Sequence, residues 1–317
     1  MQTLAASLAY AHGLGEWQAK TNMPTVVLFI VQPGEKNLGD QRALELELWN
    51  THKVRAEFMT LLEVSRNGRL VETGGQKVLF VKPGVGSAET AANNEECVED
   101  EFAVSVVYYR AGYTPDDYPS EAEWSARELM EHSAAIKCPN VGYQLVGTKK
   151  IQQVMFEPGF LERYLDETTS AYLRQFFASQ FALGSQVTDD GVRAMEEAIA
   201  DGSRWVLKPQ REGGGNNLYG KELSNFLLEN RTNPVLNGWV LMQRIFPQNN
   251  ITYFMKKGEV SVYPSISELG IYGTFVGDGT TVMRNDCAGY LLRTKQAGVD
   301  EGGVATGYSV LNSLILY

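Results

Sequence analysis

The run Lys208-Pro-Gln-Arg-Glu-Gly-Gly-Gly-Asn-Asn-Leu-Tyr-Gly220 constrains this chain more than any other stretch. Three consecutive glycines give up side-chain packing and cost conformational entropy, so a folded domain carries them where its backbone must approach something closely. Here they stand among the cations Lys208 and Arg211, the carboxylate Glu212 and the amides Asn216 and Asn217, just after the strand-like Arg204-Trp-Val-Leu207. Peptide N–H groups can surround phosphate oxygens, Lys208 can neutralise them, and Glu212 can hold a divalent cation bridging them. The run lacks both the Lys-Ser/Thr ending of a P-loop and the GxGxxG spacing of a dinucleotide fold. It reads as a phosphate-binding loop of another kind. A surface hairpin is the plain alternative, because Gly and Asn are common turn formers. A plain turn, however, needs neither cation, carboxylate nor amides around its glycines.

At 317 residues the chain exceeds one average domain, which favours two lobes, and 44% hydrophobic residues suffice for real cores. A net charge of −10 argues against a general nucleic-acid or anionic-membrane binder, both of which want a basic face. Cys97, Cys138 and Cys287 are odd in number and lack CxxC spacing, which fits a reducing compartment without a disulfide framework or zinc site. No apolar stretch has membrane-spanning length and no signal-peptide pattern opens the chain, so cytoplasm is the expected setting.

The pattern predicts an α/β fold. Thr25 to Val31 is a continuous apolar run, as in a sheet buried on both faces; Asp40 to Trp49 is helical, and Val54 to Met59 and Phe102 to Tyr109 are further strands. Ser120-Glu-Ala-Glu123 is a capping box that opens a helix through Met130. Ser65 to Glu101, rich in Gly, Asn and acids, reads as a solvated loop; its acidic residues lack ordered ligand spacing. Helical patterns then run through Ile151 to Leu183 and Asp190 to Ala200. Strands follow at Arg204 to Pro209, Gly238 to Ile245 and Pro264 to Val276. The expected organisation is a helical piece at 1–24, a parallel α/β lobe at 25–146, and a nucleotide lobe at 147–317. The last contains the glycine-rich loop (208–220) and a Gly/Ala segment (302–307).

Several blocks together carry a resemblance. The glycine-rich run, Ile266-Ser-Glu-Leu-Gly-Ile271, Leu291-Leu-Arg-Thr-Lys295, Gly302-Gly-Val-Ala305, Arg110-Ala-Gly-Tyr113, Gly147-Thr-Lys149 and Asn37-Leu-Gly-Asp-Gln41 resemble eukaryotic glutathione synthetases. These belong to the ATP-grasp superfamily, and the likeness runs from about Leu4 to about Val310 in the same order. It implies an ATP-dependent ligase. ATP phosphorylates the cysteinyl carboxylate of γ-glutamylcysteine, the glycine amine attacks the acyl phosphate, and glutathione, ADP and phosphate leave. Such chemistry rests on positioning and charge neutralisation, not on a protein nucleophile. His12, His52 and His132 accordingly lie outside every block.

By this resemblance Lys149 and Lys208 contact ATP phosphates, Gly213, Gly214 and Gly215 close over them, and Glu212 is the Mg²⁺ ligand. Asn217, Tyr219, Glu268 and Lys295 also face the nucleotide, and the backbone of Met242, Gln243, Arg244 and Ile245 reads adenine. Gln243-Arg244 replaces the usual Glu-Lys, a change that backbone contacts tolerate. Asn37, Gln41, Arg110, Tyr113 and Arg293 would bind γ-glutamylcysteine, flanked by Glu35 and Lys36. Val304 and Ala305 belong to a small-residue lid that excludes water from the acyl phosphate. Arg293 and Lys208 are the residues expected to carry the chemistry. Ala111 replaces the acid usual between Arg110 and Gly112, which removes a local support expected for that turn; Thr306 stands where Ala is common. The family implies a homodimer.

The family's chains are longer on the N-terminal side. That portion supplies a Glu-x-Asn pair of metal ligands, a substrate arginine and a Ser-x-Ser contact. Leu4 to Ala11 matches a later family helix, so this portion is expected to be missing here, leaving Glu212 as the carried-over metal ligand. From the sequence a second class of function therefore stays open: a non-catalytic protein that binds ATP and glutathione-like peptides and acts through partners. A third is an ATP-grasp ligase with another acceptor.

Overall fold

In the computed structural model the described residues are 2–15, 23–82, 101–211, 215–256, 258–300, 302–304 and 307–314. The chain forms two compact units, one of residues 1–142 with 269–291, the other of residues 143–268 with 292–317.

The first unit is built around a mixed sheet. Helix α1 (Gln2–Gly13) precedes β1 (Thr25–Ile30), followed by α2 (Leu38–His52), β2 (Arg55–Met59) and α3 (Leu61–Asn67). The hairpin β3 (Gly68–Thr73) and β4 (Gln76–Val81) leads on to β5 (Phe102–Tyr109), α4 (Glu121–Glu131) and β6 (Ile136–Cys138). The strand order is β2-β1-β5-β4-β3, with β1 parallel to both β2 and β5. The partner edge of β5 is shared: β4 pairs antiparallel with its start, and β6 parallel with residues 106–108.

The apolar β1 is buried on both faces, as its sequence requires. Val27 and Phe29 face Ala5, Leu8 and Ala11 of α1 and Leu44 and Leu48 of α2. Val26, Leu28 and Ile30 face the opposite layer, with Val64 of α3 and Ala126 and Met130 of α4. Each fully buried Leu, Ile or Phe side chain contributes about 1.5–3 kcal/mol relative to exposure, so this layered core holds β1 and β5 rigidly. The capping box at Ser120 is present, with the Glu123 carboxylate accepting from the Ser120 N–H at 3.1 Å. A second, at Thr60 and Glu63, starts α3.

Within Ser65 to Glu101, expected as a solvated loop, the structure instead has β3 and β4, whose Val78 to Val81 are buried. Gly74 and Gly75 both adopt positive φ (59° and 80°), the requirement of a tight two-residue hairpin turn. The acids from Glu95 to Asp100 lie outside the described residues.

One buried polar contact in this unit is pH-sensitive. Ser105 Oγ donates to Val26 O at 2.8 Å, so its oxygen must accept from His12 Nδ1, 2.6 Å away. Burial lowers the His12 pKa below the ordinary 6.5. The folded state thus disfavours the imidazolium, and the stability tied to neutral His12 is present above the unfolded-state value and lost as pH falls through the folded one. Urea midpoints should drop as pH falls below the ordinary histidine value of 6.5, and His12→Asn should flatten that part of the curve. An identical slope in the variant would refute the assignment.

The second unit follows α5 (Val141–Val146), which straddles the division. It contains α6 (Lys149–Phe156), α7 (Glu167–Arg174), β7 (Gln180–Ala182), α8 (Asp189–Ala200), β8 (Trp205–Pro209), β9 (Leu218–Tyr219), α9 (Gly220–Glu229) and β10 (Trp239–Gln243). The sheet order is β7-β10-β8-β9, antiparallel throughout. Met195 of α8 and Leu223 and Leu227 of α9 pack with Leu207 and Leu241. The helical stretch expected through Leu183 is interrupted: α6 ends before Pro158-Gly159, and α7 starts afresh with Asp166 as N-cap. A further sheet has the order β11 (Asn250–Lys256), β12 (Glu259–Gly277), β13 (Val282–Gln296) and β14 (Ser309–Asn312), with β11 antiparallel to β12 and β13 antiparallel to β14. Residues 269–277 of β12 and 282–291 of β13 belong to the first unit. No helix among the described residues is long and apolar enough to cross a membrane.

Candidate active site

In the second unit Lys208 occupies β8, paired opposite Val240 of β10, where the strand leaves the sheet for the glycine-rich loop. Its ammonium is half-buried. Burial is the main cause that lowers its pKa from the ordinary 10.5; the Lys149 ammonium adds to the effect and Glu268 opposes it. Two cations held together in part-buried surroundings repel, and an anion relieves that repulsion. Lys149 opens α6, whose first turn is stitched to the stem of the loop. Lys149 Nζ donates to Arg211 O at 2.7 Å, and the Lys150 N–H to Gln210 Oε1 at 3.1 Å. Glu268 in turn pairs with Arg293, and Thr294 beside it is buried against Ser267 at 2.9 Å.

A second polar group adjoins the exit of β10. Asn217 Nδ2 donates to Tyr219 Oη at 3.2 Å. The guanidinium of Arg244 lies 5.4 Å from the ring centres of both Tyr219 and Phe246 and pairs with Asp300 at 2.7 Å. Lys295 Nζ donates to Asp300 O at 2.9 Å. Along the segment expected to read adenine, Met242 and Gln243 end β10. The Gln243 N–H is engaged by Ser179 O and that of Arg244 by Arg204 O, both at 2.9 Å. Ile245, two residues past the strand, is largely exposed. Gly215 has a φ of 85°, a conformation that favours glycine. Val304 accepts from the Gly307 N–H at 2.9 Å. Glu212, Gly213, Gly214 and Ala305 lie outside the described residues. Among the described residues no group of three or more His, Cys, Asp and Glu side chains converges to hold a metal ion.

The first unit brings Asn37, Gln41, Arg110 and Tyr113 to the end of β1. Arg110 follows β5, and its N–H and that of Ala111 both donate to Ile30 O, at 2.8 and 3.0 Å. Arg110 Nη2 pairs with Asp40 Oδ2 at 2.6 Å. Glu35 accepts from the Asn37 N–H at 2.8 Å and from Gln41 Nε2 at 3.0 Å. Gln41 is 1% exposed, and its Oε1 and the Asp40 Oδ1 are buried with no hydrogen-bond partner. Unmet buried acceptors beside a guanidinium suit a ligand that carries both donors and a carboxylate.

The turn that lacks the usual acid at 111 takes its support from Asp117. One oxygen, Oδ2, accepts from the N–H groups of Gly112, Tyr113 and Thr114, each at 3.1 Å. Gly112 is required there: its φ is 87°, and a Cβ would come within 2.9 Å of Tyr118 Oη. Tyr113 keeps its ring about half exposed, with Gln32 Nε2 at 3.4 Å from its hydroxyl.

The family model described as eukaryotic glutathione synthase, ATP binding domain, matches residues 1–316. The chain belongs to the eukaryotic glutathione synthase family. It is 39% identical over 315 residues to the chloroplastic glutathione synthetase of Arabidopsis thaliana, covering 98% of this chain and 53% of that one. To the Homo sapiens glutathione synthetase it is 39% identical over 302 residues, covering 94% and 58%. The Dictyostelium discoideum enzyme gives 37% over 318 residues, covering 99% and 61%. The chain thus spans roughly half to three-fifths of the length of the curated relatives it matches. In fold it resembles a glutathione synthetase-like effector from Globodera pallida in apoform, with a TM-score of 0.66, 20% identity, and 98% and 60% of the two chains covered.

Sequence reasoning within this family missed Asp40, Asp117 and Asp300. Asp40 stands inside the Asn37–Gln41 block and its acid type was visible. Its pairing with Arg110, seventy positions on, was not.

Proposed function

We propose that this chain acts as glutathione synthetase, joining γ-glutamylcysteine to glycine at the expense of ATP through an acyl phosphate, on an ATP-grasp-type fold. The observation that carries the reading is the family match over residues 1–316, joined to the convergence of Lys149, Lys208, Glu268 and Arg293 in one unit. In this reading Lys149 and Lys208 neutralise ATP phosphates under Gly213, Gly214 and Gly215, with Asn217, Tyr219, Glu268 and Lys295 around the nucleotide. The backbone from Met242 through Gln243 and Arg244 to Ile245 lines the adenine. Because the Gln243 and Arg244 N–H groups are already engaged, the Ile245 N–H is the donor this segment would offer.

Arg110, Asn37, Gln41 and Tyr113 bind the γ-glutamyl part, Arg293 a further carboxylate, and Val304 with Ala305 shields the acyl phosphate. Mg²⁺, held by Glu212 and nucleotide oxygens, would supply charge neutralisation at the phosphates; it commonly uses few protein carboxylates and keeps several waters. A cytoplasmic homodimer completes the reading.

The test is phosphate release from ATP–Mg²⁺ with γ-glutamylcysteine and glycine supplied separately and together. Release that requires both acceptors is expected. Tight ATP binding with no release under any combination would instead favour a non-catalytic nucleotide- and peptide-binding protein.

A further inference from the structure

Arg244 touches three segments of the second unit at once. Its N–H donates to Arg204 O at 2.9 Å and its Nη1 to Ser203 O at 3.4 Å, which fixes it to the start of β8. Its guanidinium carbon is 5.4 Å from the Tyr219 ring centre, at the far end of the glycine-rich loop. Its Nη2 reaches Asp300 Oδ1 at 2.7 Å, in the turn after β13. Asp300 also accepts from Lys295 through its backbone carbonyl at 2.9 Å. Just beyond, Gly302 O accepts from Ser309 Oγ at 2.9 Å and Gly303 O from the Tyr308 N–H at 3.0 Å. The Gly302-Gly303 stretch is therefore moored to β14 on one side and to Asp300 on the other. A planar guanidinium can face an aromatic ring while its edge donates to a carboxylate, which an ammonium does far less well.

We propose that Arg244 is a positioning residue that couples nucleotide binding to the order of Asp300, Gly302 and Gly303. Through one side chain it holds the Tyr219 ring and the Asp300 carboxylate in place together. The proposal rests on the reading of Tyr219 as nucleotide-facing. Coupling of this kind is reciprocal: a nucleotide that settles Tyr219 also steadies Asp300, and loosening Asp300 weakens the nucleotide by the same factor.

The test combines calorimetric titration of ADP–Mg²⁺ with amide exchange at Val299, Asp300, Gly302 and Gly303. Wild type is compared with Arg244→Ala, Asp300→Ala, the double variant and Arg244→Lys. ADP should slow exchange at these amides in the wild type and fail to do so in either alanine variant. Each alanine variant should bind ADP about three- to tenfold more weakly, the double no more weakly than either, and Arg244→Lys should recover part of the loss. Thermal midpoints near wild type establish that the variants are folded. Equal slowing in Arg244→Ala and wild type, or losses that add in the double variant, overturns the coupling. A wild type that does not bind ADP overturns the nucleotide reading and this proposal with it, an outcome the first titration separates from the rest.

Discussion

Lys208→Ala should abolish measurable ATP binding, weakening it at least about 100-fold, while leaving the fold intact. A hydrogen bond to a charged group contributes about 1.5–3 kcal/mol, and a lysine ammonium can offer up to three donors to phosphate oxygens. The loss should not come with unfolding, because burial and the nearby Lys149 already disfavour the Lys208 ammonium in the folded state. Removing it relieves that repulsion, so the thermal midpoint should hold or rise. The same electrostatics gives a pH signature. An anionic ligand favours protonated Lys208, so affinity should be flat at low pH and begin to fall below the ordinary lysine value of 10.5, since the free residue's pKa is lowered. Isothermal titration of both proteins checks this. Equal affinity would remove Lys208 from the nucleotide site.

Arg110→Ala should raise the KM for γ-glutamylcysteine by about 30-fold or more, the loss of a charge-assisted pair of hydrogen bonds to a carboxylate. It should also cost stability, because Asp40 would keep its buried, unpartnered Oδ1 and lose the cation opposite Oδ2. Both partners are partly exposed, so this penalty is about 1–3 kcal/mol, below that of a fully buried broken pair. Arg110→Ala combined with Asp40→Asn should recover most of the stability and none of the peptide affinity. That split, read by denaturant midpoints and by KM, distinguishes a binding role from a merely structural one. If the double variant binds peptide like wild type, Arg110 does not hold the substrate.

Much of this architecture was legible beforehand where a single physical cause dominates. The unbroken apolar run of β1 required burial on two faces, and Ser120 with Glu123 marked the start of α4. The β3–β4 hairpin was missed, although Gly74-Gly75 between alternating strands is a hairpin signal; the surrounding Gly, Asn and acidic residues masked it as loop. At the candidate site, residue types in ordered blocks pointed to Lys208, Arg110 and Arg293. What the pattern could not give was the network around them. Asp40 and Asp300 pair with guanidinium groups brought near by folding, and an isolated aspartate carries no spacing that would single it out; Asp117 acts on its own turn, a local spacing that was passed over.

Asp117 gives the turn at residues 112–114 a particular freedom. The backbone of Gly112, Tyr113 and Thr114 is fixed by the Asp117 carboxylate, to which the Thr114 hydroxyl also donates at 3.2 Å, and not by the Tyr113 ring. Tyr113 thus presents a half-exposed ring from a peptide unit whose shape does not depend on that ring. Scaffold and contact are separable at this position. Residue 113 can therefore be exchanged without redesigning the loop, and within the proposed peptide site such exchanges are where preference could be changed at least cost to the fold.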